Sequence, residues 1–173
     1  MTRIPSSRWF NSPRPARHCA VLLVVKEESG HKGLGWNAWH TKCALRRAGV
    51  EVGVAHCAAR DIRATVASHT PRVCVLMAFW FSVSLIEELA TEFPGTQFVV
   101  KNHSGPQFLA QESTGWASLL ALVDLSARVP NVAVAAIKPE FVEALRGLGA
   151  RAIEIPNVYC PGELDSGAAT EKL

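Results

Sequence analysis

The sequence predicts an α/β fold, a Rossmann-like doubly wound parallel sheet of about six strands with helices on both faces. Three observations predict it. Six short, valine-rich runs recur along the chain, several of them apolar on both faces, as buried parallel strands are. A helical pattern separates nearly every run from the next. The 173 residues are 49% hydrophobic and 19% charged, a composition and length that suit one domain burying roughly 70% of its unfolded surface.

Residues 1–17 hold three prolines, three serines and four arginines without an acid, and read as a flexible basic leader. The domain proper is expected over 18–160. Its first strand is 19–25 (CAVLLVV). A Gly-containing loop leads into a helix over 36–48, which stops at Gly49, a natural C′ residue. The second strand is 50–56 and a short helix follows over 59–68. The third strand is 72–79. Ser84 and Glu87, at capping-box spacing, open a helix over 84–93 that aligns Leu85, Ile86, Leu89 and Phe93. The fourth strand is 96–101. Residues 106–128 read as helix broken at Ser113-Thr114-Gly115, with Trp116, Leu119, Leu120, Val123 and Ala127 aligned on the second piece. The fifth strand, 131–136, leads to a helix over 139–147 with Pro139 at its first position. The last strand, 151–155, runs into a Pro-bounded exit, and 161–173 reads as a linker or tail. Right-handed crossovers place helices on both faces. The expected strand order is 3-2-1-4-5-6, with ligands outside the carboxyl ends of the strands at the switch point.

Charge and cysteine content narrow the function. The net charge is +3, but the leader's arginines leave fourteen basic against fifteen acidic side chains in the rest of the chain. A body near neutrality argues against a nucleic-acid partner. The longest apolar runs, Cys19 to Val25 and Val73 to Phe81, fall short of the ~20 residues of a membrane span. Cys19, Cys43, Cys57, Cys74 and Cys160 form no CxxC pair and read as small buried hydrophobes of a reducing, cytoplasmic protein. No metal site is expected. No secretory signal, HExxH, P-loop or Ser/His/Asp order is present.

Four segments follow strand ends, where chemistry gathers in this architecture. Gly33-Leu34-Gly35-Trp36-Asn37-Ala38 satisfies GxGxxA. Yet about six residues separate it from the first strand, and the second strand ends in Ala55-His56 where a dinucleotide site needs an acid. A Gly turn into a helix and an anion or sugar site at the helix N-terminus both stay open. Phe79-Trp80-Phe81 ends the third strand, with Trp80 either core or a stacking surface for a sugar ring. Lys101-Asn102-His103-Ser104-Gly105-Pro106 ends the fourth. There His103 is the acid–base candidate, Asn102 and Ser104 are candidates to orient a hydroxylated ligand, and Glu112, one helix turn or two later, is a candidate partner for the histidine. His31 could approach the same cleft. The competing reading is a loop that caps the next helix. Asn157, at the exit of the last strand, joins the binding candidates.

The stretch FPGTQFVVKNHSGPQFLAQE, followed by PNVAVAAIKPEFVEALRGLGARAIEIPNVY, resembles the amino-terminal domain of GT-B-fold glycosyltransferases of the bacterial and phage type. The segment HKGLGWNAWHTKCALRRAGVEV is similar to the first loop and helix of that domain. The resemblance covers roughly residues 19–160. It implies transfer of a sugar from a nucleotide-activated donor to an acceptor, in a cleft between two domains. The amino-terminal domain holds the acceptor and the other the nucleotide. His103 would be the base, Gly33, Gly35 and Trp36 would line the cleft, and Trp80 would contact the acceptor. The nucleotide sugar is a co-substrate, and no metal or cofactor is implied. The chain ends at Leu173, where such a second domain begins, so the expectation is half a site, completed by a second domain or another copy. Two other readings stand beside it: a non-catalytic interaction domain, and the nucleotide-binding domain of an oxidoreductase.

Overall fold

The computed structural model describes residues 18–27, 33–111 and 113–159. The leader, His31, Glu112, Cys160 and the 161–173 tail lie outside the described residues. The elements are β1 (Val21–Lys26), α1 (Gly33–Arg47), β2 (Val52–Cys57), α2 (Ile62–His69), β3 (Val73–Met77), α3 (Val83–Glu92), β4 (Gln97–Asn102), α4 (Pro106–Gln111), α5 (Gly115–Arg128), β5 (Val132–Ala136), α6 (Pro139–Gly147) and β6 (Ala152–Glu154). A 3₁₀ turn, Ala59–Asp61, precedes α2.

All six strands are parallel. Their order is β2-β1-β3-β4-β5-β6, not the expected 3-2-1-4-5-6. Burial decides between the two. β3, VCVLM, is apolar on both faces and belongs inside a sheet. β2 carries Gly53 and His56 and is only partly covered over its middle four residues, as an edge strand is. The direction of winding therefore reverses after β2, and the switch point falls between β1 and β3.

The reversal also sorts the helices. Because only the β1-to-β2 step runs the other way, right-handed crossover puts α1, alone among the described helices, on one face. Leu23, Val25, Val75, Met77, Val99, Ala133 and Ala135 form the core on that face, with Ala38 of α1. The alternate residues Leu22, Val24, Cys74, Leu76, Phe98, Val100, Val132 and Val134 form the larger core, against α2, α3, α5 and α6. Cys19, Cys57 and Cys74 are free thiols buried in that larger core. Burial pushes the Cys57 thiol up to about 11 and Cys74 well above its ordinary range.

Two local expectations are corrected. Ser84 does not cap α3. The cap is Ser82, whose hydroxyl accepts from the Leu85 backbone N–H at 3.2 Å, with helix beginning at Val83. On α5 the buried stripe is Leu119, Leu122, Val123, Leu125 and Ser126, whereas Trp116, Leu120 and Ala127 are exposed. The break before α5 and the positive φ of Gly49 (78°) follow expectation. No helix among the described residues is long and apolar enough to cross a membrane.

Candidate functional site

Parallel strands send all their carboxyl ends to one edge, and two unlike sites form there. The first lies at the switch point. A pocket of about 170 Å³ is lined by Lys26 at the end of β1, Leu34 in the first turn of α1, Ala78, Phe79 and Trp80 after β3, and Asn102 and Ser104 at the end of β4. Three of the expected binding residues, Trp80, Asn102 and Ser104, therefore do meet, beside the helix turn that holds Gly33 and Gly35.

The backbone is shaped to make this pocket. Ala78 has φ of 81°, the left-handed region in which a side chain is strained. Its N–H donates to the Lys101 carbonyl at 2.9 Å, which turns the chain out of β3. The Trp80 indole N–H donates back to the Met77 carbonyl at 3.0 Å, and the ring packs on Phe81 with centroids 3.6 Å apart. Trp80 is thus half-buried and fixed in orientation. Asn102 is a builder of the loop and not a free ligand contact. Its amide donates to the Ser104 carbonyl and accepts from the Ser104 N–H, both at 2.9 Å. That closed pair satisfies a buried amide in place and holds the turn.

The second site is a buried polar cluster on the α1 side of β4. Period-two alternation points Lys101 the opposite way from Asn102. Lys101 is 0% exposed. Its ammonium donates to Asn37 Oδ1 at 2.9 Å, to the Pro156 carbonyl at 3.2 Å and to Asn157 Oδ1 at 3.2 Å. No carboxylate pairs with it among the described residues. Burial lowers the ammonium to about 8. His103 adjoins the cluster. Burial, then the Lys101 charge, push its imidazole down to about 4, against the raising effect of a hydrogen bond to the Asn157 side chain. Its Nε2 is buried without a partner. His103 is therefore neutral at physiological pH, and it is not among the residues lining the switch-point pocket. Asn157 belongs to this cluster as well.

The remaining candidates are placed differently. Gly35 is buried in the first turn of α1, and Gly33 is exposed at its start. Trp36 is 41% exposed, with its ring 6.2 Å from that of His40. His40 in turn lies 5.9 Å from Tyr159, so Trp36 belongs to an aromatic ridge along α1. No group of three metal-ligating side chains occurs among the described residues.

Sequence reasoning passed over Asn37, Thr41 and the role of Lys101. The signal for Lys101 was in view: a charge inside QFVVKN, at a position whose register mates are Met77 and Ala135. A lysine there is buried on both sides, and lysines are almost never fully buried without a partner. Comparison of the chain with protein-family models, with curated proteins and with solved structures finds no match.

Proposed function

We propose that this domain binds a hydroxylated, sugar-type molecule in the switch-point pocket, and that it serves as the acceptor side of a glycosyl-transfer enzyme. The observation that supports it best is the make-up of the pocket. An indole with fixed orientation, Trp80, lines the pocket together with Phe79 and the polar residues Lys26 and Ser104, at the sheet edge where such folds take ligands. Sugars present an apolar ring face and a polar hydroxyl rim, and a mixed aromatic and polar lining suits that combination. In this reading the nucleotide-activated donor sits on a second domain, whichever chain carries it. That domain supplies the charge stabilisation for the leaving diphosphate. His103 does not line that pocket and is neutral at physiological pH. In this reading the domain therefore contributes positioning of the acceptor hydroxyl and not its deprotonation by this ring.

The reading is tested by saturation-transfer NMR with a panel of mono- and disaccharides, on the wild type and on Trp80→Ala. Binding that weakens roughly two- to tenfold in Trp80→Ala is expected for the loss of one stacking ring. Absence of any sugar binding, or binding indifferent to Trp80, refutes it.

A second reading, an interaction domain, is favoured by one observation: Trp36 (41%), Trp39 (36%) and Tyr159 (69%) are exposed on α1 and the segment after β6. A monodisperse monomer by light scattering at high concentration counts against self-association through that ridge. Nothing in the geometry favours the dinucleotide reading. β1 ends at Lys26 and α1 begins only at Gly33, and no acid ends β2.

A further inference from the structure

The core on the α1 face is incompletely filled. Between β1, β3 and α1 lies a cavity of about 370 Å³, walled by Leu23, Val75, Met77, Leu45, Ile155 and Val158. That volume is within the range of about 300–1,000 Å³ usual for ligand pockets. Two of its lining residues are polar, Thr41 and Lys101. Thr41 is 9% exposed and its hydroxyl has no hydrogen-bond partner. One turn earlier on the same face of α1, Asn37 is 3% exposed and its Nδ2 has no partner either. The other end of that amide, Oδ1, receives the Lys101 ammonium at 2.9 Å. A buried cation whose three N–H go only to neutral oxygens and an idle hydroxyl thus meet on an otherwise apolar wall, and the Asn37 amide that holds the cation keeps an idle N–H₂. Unsatisfied buried donors are costly, and an uncompensated buried cation more so.

We propose that this cavity binds a small amphipathic carboxylate, with its apolar body beneath α1 and its carboxylate at the Lys101 end, accepting from the Thr41 hydroxyl and balancing the lysine charge. A carboxylate supplies the counter-charge that Lys101 lacks and an acceptor for the idle Thr41 hydroxyl. A neutral alcohol leaves the ammonium uncompensated, and an amine repels it. The inference does not rest on the sugar reading. The two pockets share no lining residue.

Isothermal titration with octanoate, 1-octanol and octylamine as probes tests it, on the wild type, Thr41→Val, Ala44→Phe and Lys101→Met. Octanoate is expected to saturate one site, with octanol weaker by on the order of tenfold or more and octylamine not binding. Thr41→Val keeps the shape and removes the hydroxyl, so octanoate should weaken about two- to tenfold while octanol is unchanged. Ala44→Phe grows from a lining residue into the cavity and should block octanoate and octanol alike. Lys101→Met should lose the preference for the acid. Thr41→Val and Ala44→Phe leave the charge in place, so the decision stands even if Lys101→Met does not fold. No octanoate binding by the folded wild type overturns the proposal. Equal affinity for octanol, or octanoate binding retained in folded Ala44→Phe, does the same.

Discussion

Replacing Lys101 by methionine should remove a pH dependence from the stability of this domain. The ammonium titrates near 8 in the folded chain against an ordinary 10.5. That difference corresponds to on the order of 3 kcal/mol at about 1.36 kcal/mol per unit. The sign follows from proton counting. Between about pH 8 and pH 10.5 the unfolded chain holds the lysine proton and the folded chain has released it, so stability rises with pH across that window. Below the window the full cost of burying the charge is present. Methionine fills a similar volume with an unbranched apolar chain and carries no proton. At neutral pH the substitution relieves the burial cost but leaves Asn37 Oδ1 without its donor, at about 1–3 kcal/mol. Pro156 and Asn157 are not fully buried and can recover water. The variant is therefore expected to be as stable as the wild type, or slightly more so, near pH 7. Near pH 10 it should be less stable by comparison, the difference between the two having moved by on the order of 3 kcal/mol. Urea unfolding followed by tryptophan fluorescence measures this, with a constant m-value as the check that both unfold alike. Titrating thiols such as Cys57 occur in both proteins and cancel. A difference between the two proteins that is the same at about pH 7 and about pH 10 refutes a desolvated ammonium.

Further outcomes follow from the same geometry. The His103 imidazole should titrate with a midpoint near 4 by heteronuclear NMR, and the midpoint should rise in Lys101→Met, because the lysine charge is one of its two depressing causes. Since the folded value lies below the ordinary 6.5, the unfolded chain binds the extra proton in that window, and stability falls as pH drops from about 6.5 to 4. A midpoint at or above 6 in the wild type contradicts the burial of this ring. Ser82→Ala should cost about 1 kcal/mol in chemical unfolding through loss of the α3 cap, while Ser84→Ala should change stability by less than about 0.5 kcal/mol. The reverse ranking would restore Ser84 as the cap.

The fold class was legible because periodicity and strand composition are local properties. VLLVVK, VCVLM and QFVVKN each announce a buried strand without reference to their neighbours. Strand order was harder to read, because right-handed crossover allows winding to reverse after the second strand or after the third. The contrast that separates the two was nonetheless in the sequence. VGVAHC is too polar for an interior strand and VCVLM is too apolar for an edge. At the site, proximity to strand ends found Trp80, Asn102 and Ser104 but misjudged how they act. Whether an amide such as Asn102 faces a ligand or closes on its own loop depends on two hydrogen bonds two residues away. The Lys101 cluster draws on α1, β4 and the segment after β6, three parts of the chain that only the folded sheet brings together.

The end of β4 makes both sites because alternation is strict there. One residue, Asn102, shapes the switch-point pocket, and its neighbour Lys101 faces the opposite core. Lys101 also joins the two, since its carbonyl receives the Ala78 N–H that turns β3 out towards Trp80. An interior lysine at this position is not required by packing. Its register mates are Met77 and Ala135, and an apolar side chain would meet them without the burial cost. A charge that costs on the order of 3 kcal/mol is a large fraction of the 5–15 kcal/mol by which domains are stable. Local rules are broken at functional sites more often than elsewhere. Here the broken rule coincides with the idle Thr41 hydroxyl and an unfilled apolar space. Bulk packing explains none of the three, and one bound anion with an apolar body accounts for them together.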